Sequence, residues 1–415
     1  MNKTLKLAVA AALVAGASSA NAGITIPAGD WTLDIGGVVN AYYTSTSFSG
    51  DAGSSKGYGA LFTGSNALGK GSDVDGTSNN ITTGLLPNYL SVSGKTRQND
   101  LDVAFTISIN PGASTKNAGI QNQAALGGNQ ENRQAFLTFG DASWGSIKLG
   151  KDLGIYASDA ILNDMTLLGV GSGAGGLAGN TTTTGRIGTG FMYADWKSQV
   201  AYTSPNWNGF NFTVGVTQAF NTRNDVPGAL STNRGGAQSA YEGKASYAWT
   251  GDVAGKVWAS AITQKVDFND TLGTDRATAW DIGTTVNIAS LALTGYYGQG
   301  SGIGQTVQLN GGFDANGNDR DSDQWYVQAK YALPTATTLG ISYGESTLDG
   351  NSGERATLDQ LKDSMWTVGA YHALTKHLNL VAEYSVVQSE LDKTGTGGNK
   401  DVKAKTISLG AILLF

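Results

Sequence analysis

The feature that most limits how this chain can fold is a period of two in its hydrophobic residues, repeated almost from end to end. Its clearest instance is the last stretch, VKAKTISLGAILLF, from Val402 to Phe415. Ile407, Leu409, Ala411, Leu413 and Phe415 fall on one side of an extended strand, and Thr406, Ser408 and Gly410 on the other. Successive side chains of a strand point to opposite faces, so this segment has one apolar face and one small, polar face. A closing strand with a lipid face and a wet face points to a transmembrane antiparallel β-barrel in an outer membrane.

Sixteen such segments can be marked, ending with Val402–Phe415. The clearest others are Trp31–Thr44, Leu101–Asn110, Asp323–Leu333 and Leu378–Ser389. Weaker ones are Asn88–Thr96, Arg133–Gly140, Gly145–Lys151, Phe191–Thr203, Phe210–Phe220 and Ala240–Trp249. Gly255–Lys265, Ala277–Ile288, Leu291–Gly298, Thr337–Gly344 and Ser364–Ala373 complete the set. The connections alternate. Short turns such as Arg97–Asp100 and Ala289–Ser290 follow long polar stretches such as Ser45–Pro87, Asp152–Gly190 and Val266–Arg276. A barrel with one tight rim and one looped rim has this rhythm, and an even strand count brings both chain ends to the same rim. Trp144, Trp207, Tyr202, Trp249 and Tyr371 lie near strand ends and are expected to form an interfacial girdle.

The amino terminus indicates the compartment. Lys3 and Lys6, the apolar run Leu7–Ala17 and the small-residue site Ala20-Asn21-Ala22 read as a secretory signal peptide over residues 1–22, cleaved before Gly23. That leaves residues 23–415 as one barrel, since no linker divides them. No cysteine is present, so no disulfide framework supports the chain. The net charge of −6, or −8 without Lys3 and Lys6, argues against nucleic acid as a partner. Six prolines and 59 glycines suit strands with many turns.

From Glu131 the chain reads ENRQAFLTFGDASWGSIKLGKDLGIYASDAILNDM. With Tyr202-Thr203-Ser204-Pro205 and Gly209-Phe210, this resembles the signature region of the Gram-negative general (non-specific) outer-membrane porin family. The resemblance implies a barrel of 16 strands, usually a homotrimer, with a long third loop folded into the lumen to narrow it. It implies passive diffusion of small hydrophilic solutes and ions, no enzymatic activity and no cofactor. The partners it implies are outer-membrane lipid, the permeating solutes and the outer-membrane assembly machinery. Phe415 would be part of the signal that this machinery reads.

Residue by residue, Arg133 matches a basic wall position, Lys151 stands where the family commonly has Arg, and Asp164 matches an acid early in the loop. The tip, LLGVGSGAGGLAGN at 167–180, lacks the acids that the family usually carries there. The expected constriction is therefore biased by Arg133, Lys148 and Lys151, with Asp152, Asp159 and Asp164 near the loop base. Strand alternation would put Arg133 on the face of Ala135, Leu137 and Phe139, which requires either a subunit interface outside the barrel or a break in register.

Asp314, Asn316, Asn318 and Asp321 resemble the start of a calcium loop but lack its glycine and closing glutamate, so no metal site is expected. His372 and His377 flank a short turn without a nucleophile motif. The competing readings are a substrate-selective outer-membrane channel, an outer-membrane barrel enzyme and a secreted β-rich adhesin.

Overall fold

The computed structural model describes residues 23–50, 76–113, 130–173, 182–222, 238–269, 271–354, 358–392 and 400–415. The expected signal peptide, 1–22, and loop residues 174–180 lie outside them. Among the described residues nineteen β segments join in one antiparallel sheet. The first half comprises β1 (Ile24–Ala28), β2 (Trp31–Gly50), β3 (Gly76–Thr82), β4 (Tyr89–Gln98), β5 (Leu101–Pro111) and β6 (Gln130–Glu131). Next come β7 (Ala135–Asp141), β8 (Gly145–Leu153), β9 (Trp196–Thr203) and β10 (Phe210–Gln218). Then follow β11 (Ser239–Trp249), β12 (Val253–Asn269), β13 (Gly273–Ile288), β14 (Leu291–Ser301) and β15 (Asp321–Ala332). The last are β16 (Thr337–Asp349), β17 (Gln360–Ala373), β18 (Leu378–Asp392) and β19 (Lys400–Leu414).

Sixteen of these form the wall, and β1, β3 and β6 extend its edges. β3 pairs with the upper part of β2, Tyr42–Phe48, while β4 takes the lower part, Thr32–Val38. The barrel closes where β19 pairs with β2, from Val402↔Gly50 down to Leu414↔Val38. Gly37 N–H donates to the Phe415 carbonyl at 2.7 Å and Phe415 N–H to the Gly37 carbonyl at 3.0 Å. Below that point β1 takes over the same edge of β2, pairing Ile24 with Ile35 and Ala28 with Trp31. The seam is thus bridged by both ends of the described chain. Closure gives the backbone groups of the wall partners that lipid cannot offer.

The alternation sorts as the sequence implies. Val39, Leu90, Ile107, Leu137, Val200, Val214, Ile282, Val327, Ile341, Leu380 and Leu409 are exposed on the outer surface. Asn40, Thr44, Thr406, Ser408, Gln328 and Ser385 point inward and are buried. Asn99 and Asp100 both have positive φ, the geometry of a two-residue hairpin turn between β4 and β5. No helix among the described residues is long and apolar enough to cross a membrane.

Four expectations need correction. The strands outgrow their apolar cores: β12 and β13 run to Asn269 and from Gly273, turning most of the expected 266–276 loop into a hairpin. Above the bilayer no lipid face is required, so alternation no longer marks the strand. The segment expected from Phe191 begins only at Trp196, because Phe191–Ala194 turn into the lumen and are buried. Arg133 stands outside β7, and the register break explains it: Ser108 pairs with Gln134 through both backbone and side chain, at 3.0 and 3.2 Å. Tyr371 faces the lumen with Met365 and Thr367 rather than joining the girdle, whereas Trp144 and Trp207 are exposed near the turn-side rim.

Leu409 lies within the outward apolar band. Leu409→Arg should destabilise the assembled barrel by about 2–4 kcal/mol, read as a lower urea midpoint for unfolding from lipid vesicles.

Candidate functional site

The connection from β8 to β9, residues 154–195, does not leave the barrel in its described parts, 154–173 and 182–195. It carries a short helix α1 (Ser158–Asn163) and a 3-10 turn (Met165–Leu168), and nearly all its described residues are buried. It is fastened to the wall strand after strand, mostly through its own main chain. At its base, Glu242 of β11 accepts the N–H groups of Ile155 and Tyr156, both at 2.8 Å. Ser260 of β12 accepts Ala157 N–H at 3.1 Å, and Tyr326 of β15 donates to the Ala160 carbonyl at 2.9 Å. Gln328 of β15 donates to the Asn163 carbonyl at 2.6 Å and accepts Met165 N–H at 2.9 Å. Tyr42 of β2 donates to the Leu168 carbonyl at 2.8 Å.

The acid missing from the loop tip comes from the wall. Glu383 of β18 accepts the N–H groups of Val170 and Gly171, both at 2.8 Å, and the Tyr371 hydroxyl at 2.6 Å. A Cβ on Gly169 would sit 2.0 Å from a Glu383 oxygen, so a side chain there would displace the carboxylate from this position. Gly171 has φ 57° and meets Gly185, φ 55°, on the returning limb. Gly169 and Gly171 therefore allow main-chain proximity to an acid on another strand.

The returning limb is held by Arg186, whose guanidinium donates to the Met365 carbonyl at 3.0 Å and to Ser342 Oγ. Gly190 N–H donates to Ser346 Oγ at 3.0 Å. A second connection, 302–320, also turns inward. Tyr193 N–H donates to the Thr306 carbonyl at 2.9 Å, and Lys197 Nζ reaches both Glu242 Oε1 and Gln308 Oε1 at 2.5 Å. Hydrogen bonds to charged groups contribute roughly 1.5–3 kcal/mol each, so the loop is a fixed partition.

The six expected constriction residues do not form one cluster. Lys148 and Asp152 point inward from β8 as an ion pair, with Lys148 Nζ 4.7 Å from the Phe136 ring centre. Asp159, on α1, receives Lys244 Nζ at 3.3 Å and Lys256 Nζ. Asp164 turns back into the loop, accepting Thr166 N–H at 3.0 Å and its hydroxyl at 2.6 Å, with Arg186 Nε at 4.0 Å. Arg133 is buried against Glu131 at 2.8 Å and the Trp196 ring at 5.7 Å. Lys151 stands on the opposite face from Lys148, in register with Ala135 and Ser198, and bonds the Asn132 carbonyl at 2.9 Å.

Glu242, Glu383, Arg186, Lys197, Lys244 and Lys256 were not singled out from sequence. Apart from Arg186, which lies on the loop, their one local signal is an ionisable residue on the inward face of a spanning strand.

Of the four candidate calcium residues, Asp314, Asn316 and Asn318 form a turn instead of a converging set. Asp314 accepts N–H groups from Asn316 at 2.8 Å and Asn318 at 2.9 Å, plus the amides of Asn318 at 2.9 Å and Asn351 at 2.7 Å. Asp321 is exposed at the start of β15. Among the described residues no group of three or more His, Cys, Asp or Glu is placed to hold a metal ion. Burial alone would raise the Asp314 carboxyl pKa, but the donors of Asn318, Asn351 and Asn316 outweigh it and hold it below the usual value.

A family model described as Gram-negative porin matches residues 8–391. No curated protein sequence matches. Among solved structures, the outer membrane channel DcaP of Acinetobacter baumannii is similar with TM-score 0.62 and 15% identity, covering 95% of this chain and 100% of that one. The anion-selective porin from Comamonas acidovorans gives TM-score 0.56 at 15% identity, covering 93% and 100%. Salmonella typhi OmpF, in complex with daunomycin, gives 0.54 at 16%, also covering 93% and 100%. At these identities the structures share the fold.

Two outcomes are expected. Glu383→Gln should loosen the loop tip and raise open-channel current noise in single-channel recordings, while the assembled barrel persists. The Asp314 turn should be fully stabilised above the unfolded carboxylate value of about 4 and lose that stabilisation as pH falls through the lower folded value. Amide exchange at Asn316 and Asn318, compared between neutral and acid pH, checks this. Asp314→Asn should remove the pH dependence.

Proposed function

Because the chain belongs to the Gram-negative porin family, we propose that this outer-membrane channel conducts small hydrophilic solutes and ions by passive diffusion past the 154–195 loop. The observation that carries the reading is a closed barrel crossed by a loop whose main chain is tied to Glu242 and Glu383 on opposite parts of the wall. A lipid-facing wall and a polar interior need only a fixed narrowing between them to sieve by size and charge. The inward turn of the 302–320 connection narrows the lumen further and favours small solutes.

Residues 1–22 serve as a cleaved signal peptide, and Phe415 belongs to the signal read by the assembly machinery. A homotrimer is supported by the uneven wall. β7–β10 have 7–9 residues, whereas β12 and β13 have 17 and 16. The low side carries Leu137, Leu149, Val200 and Val214 outward and offers neighbours an apolar surface without tall strands above it.

Detergent-purified protein in planar bilayers should give ohmic steps grouped in threes. Absence of conductance would refute the channel reading, and single, independent steps would refute the trimer. Deletion of Phe415 should lower the yield of assembled barrel several-fold while leaving the conductance of each assembled channel unchanged, because its pairing closes the seam and not the pore.

A further inference from the structure

Five lysines face the lumen at nearly one level. Lys95 is three residues from the end of β4, Lys148 three from the start of β8 and Lys244 five from the end of β11. Lys256 is three from the start of β12, and Lys330 two from the end of β15. All these ends belong to the short-turn rim. At about 3.3 Å per residue, the five amino groups occupy a band on that side of the loop partition.

The acids around them are formally as numerous, so accessibility decides the sign of the field. In the Lys148–Asp152 pair the side chains are 30% and 12% exposed. Against Asp159, which is 5% exposed, Lys244 and Lys256 are 28% and 29% exposed. Lys95 is 69% exposed beside Asp34 at 35%. In every pair the lysine side chain is the more exposed partner. Other acids spend their charge on donors: Asp281 accepts Ser260 N–H and hydroxyl at 3.0 and 2.7 Å, and Glu242 and Glu383 each accept two loop N–H groups. Lys330 makes no hydrogen bond or ion pair among the described residues, and it interacts through space with Asp164.

We propose that Lys95, Lys148, Lys244, Lys256 and Lys330 form a ring that concentrates small anions on the periplasmic side of the constriction, making this an anion-preferring channel. The inference rests on the channel reading and gives it a substrate class. It also moves the selective charge away from Arg133 and Lys151, the first buried against Glu131 and the second on the outer face. A low-dielectric channel lined by one accessible sign of charge raises the local concentration of the opposite ion. The effect should strengthen at low salt, as the screening length grows from about 3 Å at 1 M to about 10 Å at 0.1 M.

The test is the single-channel reversal potential across a KCl gradient, using the full-length protein as exported and assembled. The wild type should favour chloride, and more so at lower salt. Lys95→Gln/Lys330→Gln leaves every loop tether in place and should lower the chloride-to-potassium permeability ratio at least about twofold. Adding Lys148→Gln, Lys244→Gln and Lys256→Gln should remove the preference, and arginine at all five positions should restore it. A wild-type channel that prefers potassium or neither ion would overturn the proposal. So would an unchanged ratio in the five-glutamine variant at normal conductance. Failure to conduct at all would instead bring down the channel reading beneath it.

Discussion

Everything in this molecule follows from the requirement that a backbone inside lipid find all its hydrogen-bond partners within the protein. A sheet meets it only by closing, and here closure runs through the pairing of β19 with β2. Once the sheet is closed its two faces have incompatible solvents. The outer face must be apolar, and the inner face is free to be polar. The chain then faces a second problem, because a 16-stranded ring encloses more space than the wall side chains fill. The 154–195 loop answers it, and its burial obliges the wall to supply acceptors and donors for an irregular backbone. Glu242, Gln328, Tyr42 and Glu383 do so.

The sequence made the wall legible because lipid imposes a pattern between neighbouring residues. Ile407, Leu409 and Leu413 declare their face within seven positions. It made the partition much less legible because tethering is a relation between distant residues. Glu383 binds Val170 and Gly171 more than two hundred positions away, and nothing local marks the pair. The acid-free tip at 167–180 reads from sequence as a missing charge. At its described residues Val170 and Gly171 the wall supplies the acceptor acid and the loop its main-chain N–H donors. Arg133 shows the other limit. Alternation assumed an unbroken strand, and the main-chain detour at residues 132–134 removed the assumption.

The geometry also separates two uses of charge that look alike in a list of residues. Arg186 and Lys197 are wholly buried and bind the loop to the wall. Lys244 and Lys256 serve the loop through Asp159 while their side chains stay partly exposed, at 28% and 29%. The first kind can change only with the partition, and the second can change the ions that pass.

The seam has a further consequence. Gly23 Cα and the Phe415 carbonyl oxygen both lie within 4 Å of the space above Gly36, so the ring of strands is cut at one point where the two sides already meet. Strand order around the ring is therefore indifferent to where translation starts. A circular permutant joined across this cut and opened at another short turn would enclose the same lumen with the same neighbours. What the natural cut determines is the order of arrival: among the wall strands β19 follows β2 by the whole length of the sheet, so the ring cannot close before all the others are present.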